Sequence, residues 1–314
     1  MISKQTAATV IEVSNVSKWY GEIHALDGIN LSVARGEMFG LIGPNGAGKS
    51  TLFKLMLGLI PPTAGEIRVH DVRIDGREFR EVRRRIGYLP ESFVTYENLS
   101  GLEVLRLFAD LKRVPRSSCA ALLARVGLAE AAGRRVHGYS KGMRQRLGLA
   151  QALLGDPDLI FLDEPTNGLD PQGIHDFYQT LRQVQTHGAT IIITSHILAE
   201  IQERVDRLVI LQNGRIAAHG TLAQLRAQRV MPSVIEVVLP VGQEAEILAK
   251  LAHIPGLEIK MSGSYTRIAC LPSQKTTVLG LLFARSGTVQ DIAIHEPSLE
   301  DLFLGLGGQH VHAD

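Results

Sequence analysis

Apolar residues in the first two thirds of the chain gather into short, dense runs. Leu159-Ile-Phe-Leu162 and Thr190-Ile-Ile-Ile-Thr194 are nearly continuous. Runs of that length bounded by polar residues mark strands buried on both faces of a parallel sheet. Glu37-Met-Phe-Gly-Leu-Ile42 and Ile86-Gly-Tyr-Leu89 read the same way, and Pro90 ends the second. Alternation is weaker in Val10–Val16, Asn30–Val33 and Gly65–His70, which still read as strands, with a turn at Asp75-Gly76. Leu208–Leu211 and Gly214–Ala217 flank Gln212-Asn213-Gly214 and predict a hairpin. Helical spacing marks Leu52–Leu57, the basic stretch Arg77–Arg85, Leu102–Lys112, Ser117–Val126 and Lys141–Leu154. The segment from about 91 to 155 reads as a helical insert.

The pattern changes after Arg226, and Met231-Pro232-Ser233 reads as a linker. Beyond it come strand Val234–Leu239, helix Glu244–Ala252, strands Leu257–Met261 and Thr266–Leu271, helix Thr276–Ala284, strand Val289–His295 and helix Leu299–Leu304. The order βαββαβ is that of a ferredoxin-like α+β domain. Its expected core is Val237, Leu239, Ile247, Leu251, Ile268, Leu279, Leu282, Ile292 and Ile294. Leu299, Leu302, Phe303 and Leu306 are placed at its end, as a cap on that core or a dimer contact, and Gly307–Asp314 as a frayed tail. The expected division is an α/β domain over 1–229 and a regulatory domain over 230–314.

A length of 314 residues and 45% hydrophobic content suffice for one large and one small domain. The net charge of +1 gives no electrostatic case for nucleic acid. Cys119 and Cys270 fit no metal spacing and point to a reducing compartment. The N-terminus has no signal-peptide core, and no run approaches the ~20 apolar residues of a spanning helix. His310 and His312 are too sparse a set to hold copper.

The chemistry is concentrated in Gly43-Pro44-Asn45-Gly46-Ala47-Gly48-Lys49-Ser50-Thr51, which fits G-x-x-x-x-G-K-[ST] between a strand and a helix. Glycines let successive N–H groups face a polyphosphate, and the helix N-terminus adds partial positive charge. Lys49 supplies charge to the terminal phosphates, and the Ser50 hydroxyl is placed for Mg²⁺. Asp163 and Glu164 follow a buried strand at its carboxyl end, where open α/β sheets bind ligands. Asp163 suits the Mg²⁺ shell through water, and Glu164 suits polarising an attacking water. Tyr139-Ser-Lys-Gly-Met-Arg-Gln145 opens a helix and forms a further anion site. Asn167-Gly-Leu-Asp170 and, after the next apolar strand, His196 complete the series.

In this order the motifs resemble the nucleotide-binding subunit of an ATP-binding-cassette (ABC) transporter over roughly residues 10–225. The resemblance implies a phosphate-loop ATPase core, with a mixed sheet and a helical insert, working as a homodimer with ATP and Mg²⁺. It implies that Tyr20 stacks on adenine, Gly43–Thr51 binds the phosphates and Glu164 is the general base. By the same resemblance Ser140 and Gly142 meet the γ-phosphate held by the opposite subunit. Asp170 links the two sites, and His196 touches the γ-phosphate and orders water. Departures are Tyr139, Lys141 and Met143 in the usual Leu-Ser-Gly-Gly-Gln, and Glu91 where the family has glutamine. Lys141 is read as solvated and Glu91 as a metal ligand or a coupling residue. Phe93, Val94, Tyr96 and Leu99 are expected to meet a permease or to pack into the insert.

Tyr88–Gly101, Tyr139–Leu154 and Asp291–Leu302 are similar to the ATPase subunit of the transporter that matures the copper centre of nitrous-oxide reductase. That similarity implies a dimeric membrane permease, a periplasmic partner and a place on the cytoplasmic face of the inner membrane. Multidrug, antibiotic and lipid exporters share the same core. A soluble ABC ATPase of translation or repair is disfavoured by the single phosphate loop and the lack of sustained heptads.

Overall fold

The computed structural model describes residues 8–228, 232–239, 244–251, 253–262, 265–284, 289–296 and Phe303. The chain divides into two compact units, Met1–Leu222 and Ala223–Asp314. The division falls at the start of a helix, Leu222–Gln228, so a boundary after residue 229 falls just past that helix.

The first unit opens with a long hairpin, β1 (Thr9–Tyr20) and β2 (Ile23–Ala34). Then come β3 (Met38–Ile42), α1 (Lys49–Met56), β4 (Ala64–Val69), β5 (Val72–Arg73), α2 (Phe79–Arg84) and β6 (Ile86–Leu89). The helical insert carries α3 (Gly101–Lys112), α4 (Ser118–Arg125) and α5 (Lys141–Ala152). The core resumes with β7 (Leu159–Leu162), α6 (Pro171–Thr186), β8 (Thr190–Ser195), α7 (Leu198–Ile201), β9 (Arg207–Gln212) and β10 (Arg215–Gly220).

Two sheets result. The antiparallel one runs β2-β1-β4-β5, and the mixed one runs β10-β9-β3-β8-β7-β6. In the mixed sheet β3, β6, β7, β8 and β9 are parallel, and β10 returns antiparallel as a hairpin. The parallel register sets Ile42 beside Ser195 and Leu162 beside Ile193, so the carboxyl ends of β3, β7 and β8 come together. A shared core of Val13, Ile67, Phe53, Phe161 and Val209 packs the sheets and α1. Phe53 meets Phe161 edge to face at 5.1 Å, a favoured aromatic geometry.

Two features differ from the sequence reading. The β1–β2 hairpin extends far beyond Val10–Val16 and Asn30–Val33. Register shifts between Val13 and Val16, and again up to Trp19, interrupt its alternation. Helix α6 lies where the chain pattern had been given no element. Asp170 caps it by accepting from Gly173 N at 3.0 Å, and Phe177, Tyr178, Leu181 and Val184 form its buried stripe. In the insert, α3 is closed by a capping box in which Ser100 and Glu103 satisfy each other's backbone N–H.

From α8 (Leu222–Gln228), which begins at the division, the second unit holds β11 (Ser233–Val238), α9 (Glu244–Leu251), β12 (Glu258–Ser262), β13 (Tyr265–Cys270), α10 (Lys275–Leu282) and β14 (Asp291–His295). Its antiparallel sheet runs β12-β13-β11-β14, the strand order of a ferredoxin-like fold. Ile235, Val237, Leu239, Leu251, Ile268, Cys270, Val278 and Leu282 are its buried core, with Leu279 and Ile292 partly buried against it. Ile294 departs from the expected core. It sits on the edge strand β14 and is 43% exposed. The Ile247 side chain and the Leu299–Leu304 helix, apart from buried Phe303, lie outside the described residues. Cys119 and Cys270 are both free and buried. Among the described residues, no helix is long and apolar enough to cross a membrane.

Candidate nucleotide site

The loop from Gly43 to Gly48 leaves β3 and enters α1 through backbone that side chains resist. Gly48, the N-cap of α1, has φ 102°, and a Cβ there would lie 2.7 Å from both Ala25 O and Leu26 Cδ2. A Cβ on Gly43 would lie 2.3 Å from Leu211 O. Glycine at both positions therefore lets the loop lie against β2 and β9. Gly46 has φ 81° with open space beside it.

A cleft of about 360 Å³ lies over this loop. Pro44, Asn45, Gly46, Gly48, Lys49, Ser50 and Thr51 line it, together with Glu91, Glu164, Asn167 and His196. Lys49 is buried, and its Nζ donates to Gly43 O at 2.6 Å and Pro44 O at 3.3 Å. It also lies 3.9 Å from Glu164 Oε1. Burial pushes its ammonium below the ordinary lysine range, against the pull of Glu164, Asp163 and Glu91. A polyphosphate entering the cleft brings further negative charge to this buried ammonium, beyond the carboxylate of Glu164 at 3.9 Å.

Glu164 is 9% exposed and adopts φ 46°, a left-handed conformation that costs a non-glycine residue free energy. Two contacts hold it there. Its backbone N–H donates to Thr194 Oγ1 at 2.8 Å, and its Oε2 meets His196 Nδ1 at 2.8 Å. Thr194 in turn donates to Asp163 Oδ1 at 2.6 Å. Burial raises the Asp163 carboxyl, partly offset by the Thr194 hydrogen bond. The parallel register of β7 and β8 brings Thr194 beside this Asp-Glu pair. Its role depends on strand register, so the sequence carried no signal for it.

Ser50, Asp163 and Glu91 offer only oxygen donors, which suits Mg²⁺. Among the described residues no three His, Cys, Asp or Glu side chains cluster as a cage. Mg²⁺ takes one or two protein oxygens together with substrate phosphates, so this donor set fits it.

The remaining candidates lie elsewhere. Tyr20 is 49% exposed with Lys18 Nζ 5.2 Å from its ring, and it is outside the cleft lining, to which Ile23, His24 and Ala25 contribute. Ala47 is buried beneath the loop, its carbonyl accepting from Gly214 N. Ser140 caps α5, accepting from Met143 N at 3.2 Å, and Gly142 lies in the first turn. Neither lines the cleft of its own chain, and neither does Asp170. Lys141 is exposed, yet its stem lies over Gly168, where a Cβ would sit 2.5 Å from Lys141 Cδ. Thr194 is a site residue that the motifs do not reveal, and Asn167, which opens the Asn167–Asp170 motif without an assigned role, lines the cleft.

A second groove, of about 440 Å³, is lined by Leu57, Leu59, Tyr88, Phe93, Val94 and Phe108 among others. Phe93 packs on Phe108 at 5.9 Å and so belongs partly to the insert, whereas Val94 and Tyr96 are 84% and 63% exposed.

A profile of the family described as "ABC transporter" matches residues 26–167. A daunorubicin resistance ATP-binding protein of Streptomyces coeruleorubidus is 36% identical over 96% of this chain and 97% of its own. The chain belongs to the ABC transporter ATP-binding subunits. A Nod factor export ATP-binding protein of Rhizobium meliloti is 37% identical over 98% of this chain and 90% of its own. A linearmycin resistance ATP-binding protein of Bacillus subtilis is 32% identical over 96% and 99%. A solved ATP-binding subunit of an ABC transporter superposes with a TM-score of 0.64 at 38% identity, covering 70% of this chain and 93% of that one. A dimeric, post-hydrolysis cassette bound to ADP and phosphate superposes with a TM-score of 0.62 at 28% identity, covering 68% and 98%. As a family member this ABC ATPase binds and hydrolyses ATP, dimerises and works with a membrane permease.

Proposed function

We propose that this subunit powers an exporter, of the antibiotic-resistance or Nod-factor kind, that moves its cargo outward through a permease dimer. The observation that carries the engine is the convergence of Lys49, Glu164 and His196 on one cleft. In this reading the Gly43–Thr51 loop and Lys49 hold the ATP phosphates, and Tyr20 stacks on the adenine from the rim. Ser50 and Asp163, with Glu91 beside them, would hold Mg²⁺, which when bound shields charge on the β- and γ-phosphates. Glu164, oriented by His196 and by the Thr194 bond to its backbone, takes a proton from the attacking water. Ser140 and Gly142 close over the nucleotide held by the opposite subunit, with Asp170 between the two sites.

Resemblance along nearly the whole chain to proteins named for drug resistance and Nod factor export favours an exporter. The groove at Phe93 and Val94 is the proposed seat of the permease, placing the subunit on the cytoplasmic face of the membrane. The test is purification from detergent-extracted membranes followed by ATPase assays. Recovery of a permease whose complex is stimulated by daunorubicin, linearmycin or a Nod factor supports the reading. A complex indifferent to such compounds overturns it.

A second reading, maturation of the copper site of nitrous-oxide reductase with a periplasmic partner, is favoured by sequence similarity at Tyr88–Gly101, Tyr139–Leu154 and Asp291–Leu302. Deleting the gene separates the two. Copper-deficient nitrous-oxide reductase with unchanged drug sensitivity would favour maturation, and the reverse would favour export.

A further inference from the structure

The C-terminal sheet ends in two unlike edges. β12 lies at one side and β14 at the other, and among the described residues neither has a strand beyond it. An open edge offers unpaired N–H and C=O groups to any strand that fits. The sequence Glu258-Ile-Lys-Met-Ser262 guards its edge. Lys260 sits at its middle, so self-pairing about that centre would oppose two ammonium groups.

Asp291-Ile-Ala-Ile-His295 is built differently. A two-fold axis normal to a sheet can relate antiparallel strands only with one residue facing its own copy, because side chains alternate between faces. Full overlap of β14 with a second β14 puts that axis at Ala293, the smallest side chain available. The same register sets Ile292 against Ile294 of the partner subunit and Asp291 against His295 of the partner subunit. Apolar β-branched residues thus meet on one face, and on the other the Asp291 carboxylate faces an imidazole that can donate a hydrogen bond to it.

The packing of β14 agrees. Its pairing with β11 sets Ile292 beside Val237 and Ile294 beside Ile235, on the core face of the sheet. Val237 and Ile235 are fully buried, yet Ile294 is 43% exposed. Among the described residues no strand lies beyond β14, and one more strand there would cover this core-facing isoleucine.

We propose that β14 pairs antiparallel with β14 of a second copy of this chain, joining the two C-terminal sheets into one continuous sheet. This contact is independent of nucleotide and distinct from the ATP-bound pairing of the catalytic units. It would keep two ATPase subunits together through the open stages of the cycle.

The test uses the full chain without nucleotide. Ala293→Cys faces its own copy at a separation that a disulfide spans, while Cys119 and Cys270 are buried and stay unreactive. Under mild oxidation Ala293→Cys should form a covalent dimer at least about tenfold faster than Lys260→Cys on the guarded edge. Ile294→Lys, checked for native circular dichroism, should weaken nucleotide-free self-association about tenfold or more in sedimentation. Placed in a Glu164→Gln background, it should leave ATP-dependent dimerisation in place. Equal cross-linking at the two edges, no cross-link at Ala293, or unchanged association of Ile294→Lys would overturn the proposal.

Discussion

Around the phosphate loop charged groups are buried and tied down, whereas among the described residues of the C-terminal unit they are partly or fully exposed. Lys49 and Glu164 are 7% and 9% exposed, each held by loop carbonyls or by a strand-end partner. Among the described residues of the C-terminal unit the buried polar positions are Ser233 and Thr266, and the Arg267–Glu236 and Lys275–Glu296 pairs are partly or well exposed. Burying a charge is costly unless it is paired, so a fold keeps one where its chemistry uses it. By that measure hydrolysis belongs to the first unit, and the second is a packed module suited to assembly or control.

The sharpest way to break the contrast is at Lys49. Lys49→Ala removes the cleft's buried cation and should lower ATP affinity on the order of 100-fold, equivalent to about 3 kcal/mol. Titration with a fluorescent ATP analogue checks it, and unchanged affinity would move the phosphate site elsewhere. Gly48→Ala should be nearly as damaging. Its Cβ meets the Ala25 carbonyl and the buried Leu26 side chain, so the loop must shift. Crystals or amide exchange of that variant should show displacement confined to the loop and β2.

On the other side, Ile268→Ala empties a fully buried position of the C-terminal core. It should cost that unit about 2–5 kcal/mol while ATP binding is preserved. Joint loss of both in thermal melts and nucleotide titration would show that the units are not separate in function. Thr194→Val is a smaller probe within the cleft. It leaves the Asp163 carboxylate and the Glu164 N–H without their shared hydroxyl, at about 1–3 kcal/mol. Turnover should fall while the melting temperature drops modestly. Tyr20→Ala is the mildest, weakening ATP by roughly tenfold, in line with about 1–3 kcal/mol for base stacking. No change would point to Ile23 and His24, which line the cleft directly.

The same contrast governs what could be read from the chain. Buried parallel strands such as β7 and β8 declare themselves as apolar runs, and the Gly43–Thr51 loop carries its geometry in its glycines. The β1–β2 hairpin was cut short because bulges break its alternation and its tip is exposed. Helix α6 went unassigned although its buried stripe and Pro171 start are ordinary helix signals. Thr194 escaped because a threonine ending a strand has no meaning until register sets it beside Asp163. Ile294 was counted as core from periodicity alone, which specifies a face but not whether the strand is an edge. Ser140, Gly142 and Asp170 were legible only as a motif. Within one chain Ser140 and Asp170 cap helices and Gly142 lies in the first turn of α5, and the proposed partner of Ser140 and Gly142 is another subunit's nucleotide.

The central claim is that Glu164 is the base in a cleft completed by a second subunit. Glu164→Gln keeps the side chain's size and removes the proton acceptor. The most direct measurement is sedimentation of that variant with ATP and Mg²⁺, alongside its turnover. The account predicts a stable ATP-bound dimer whose hydrolysis is about 100-fold or more below wild type. A monomer that hydrolyses ATP at the wild-type rate would contradict it.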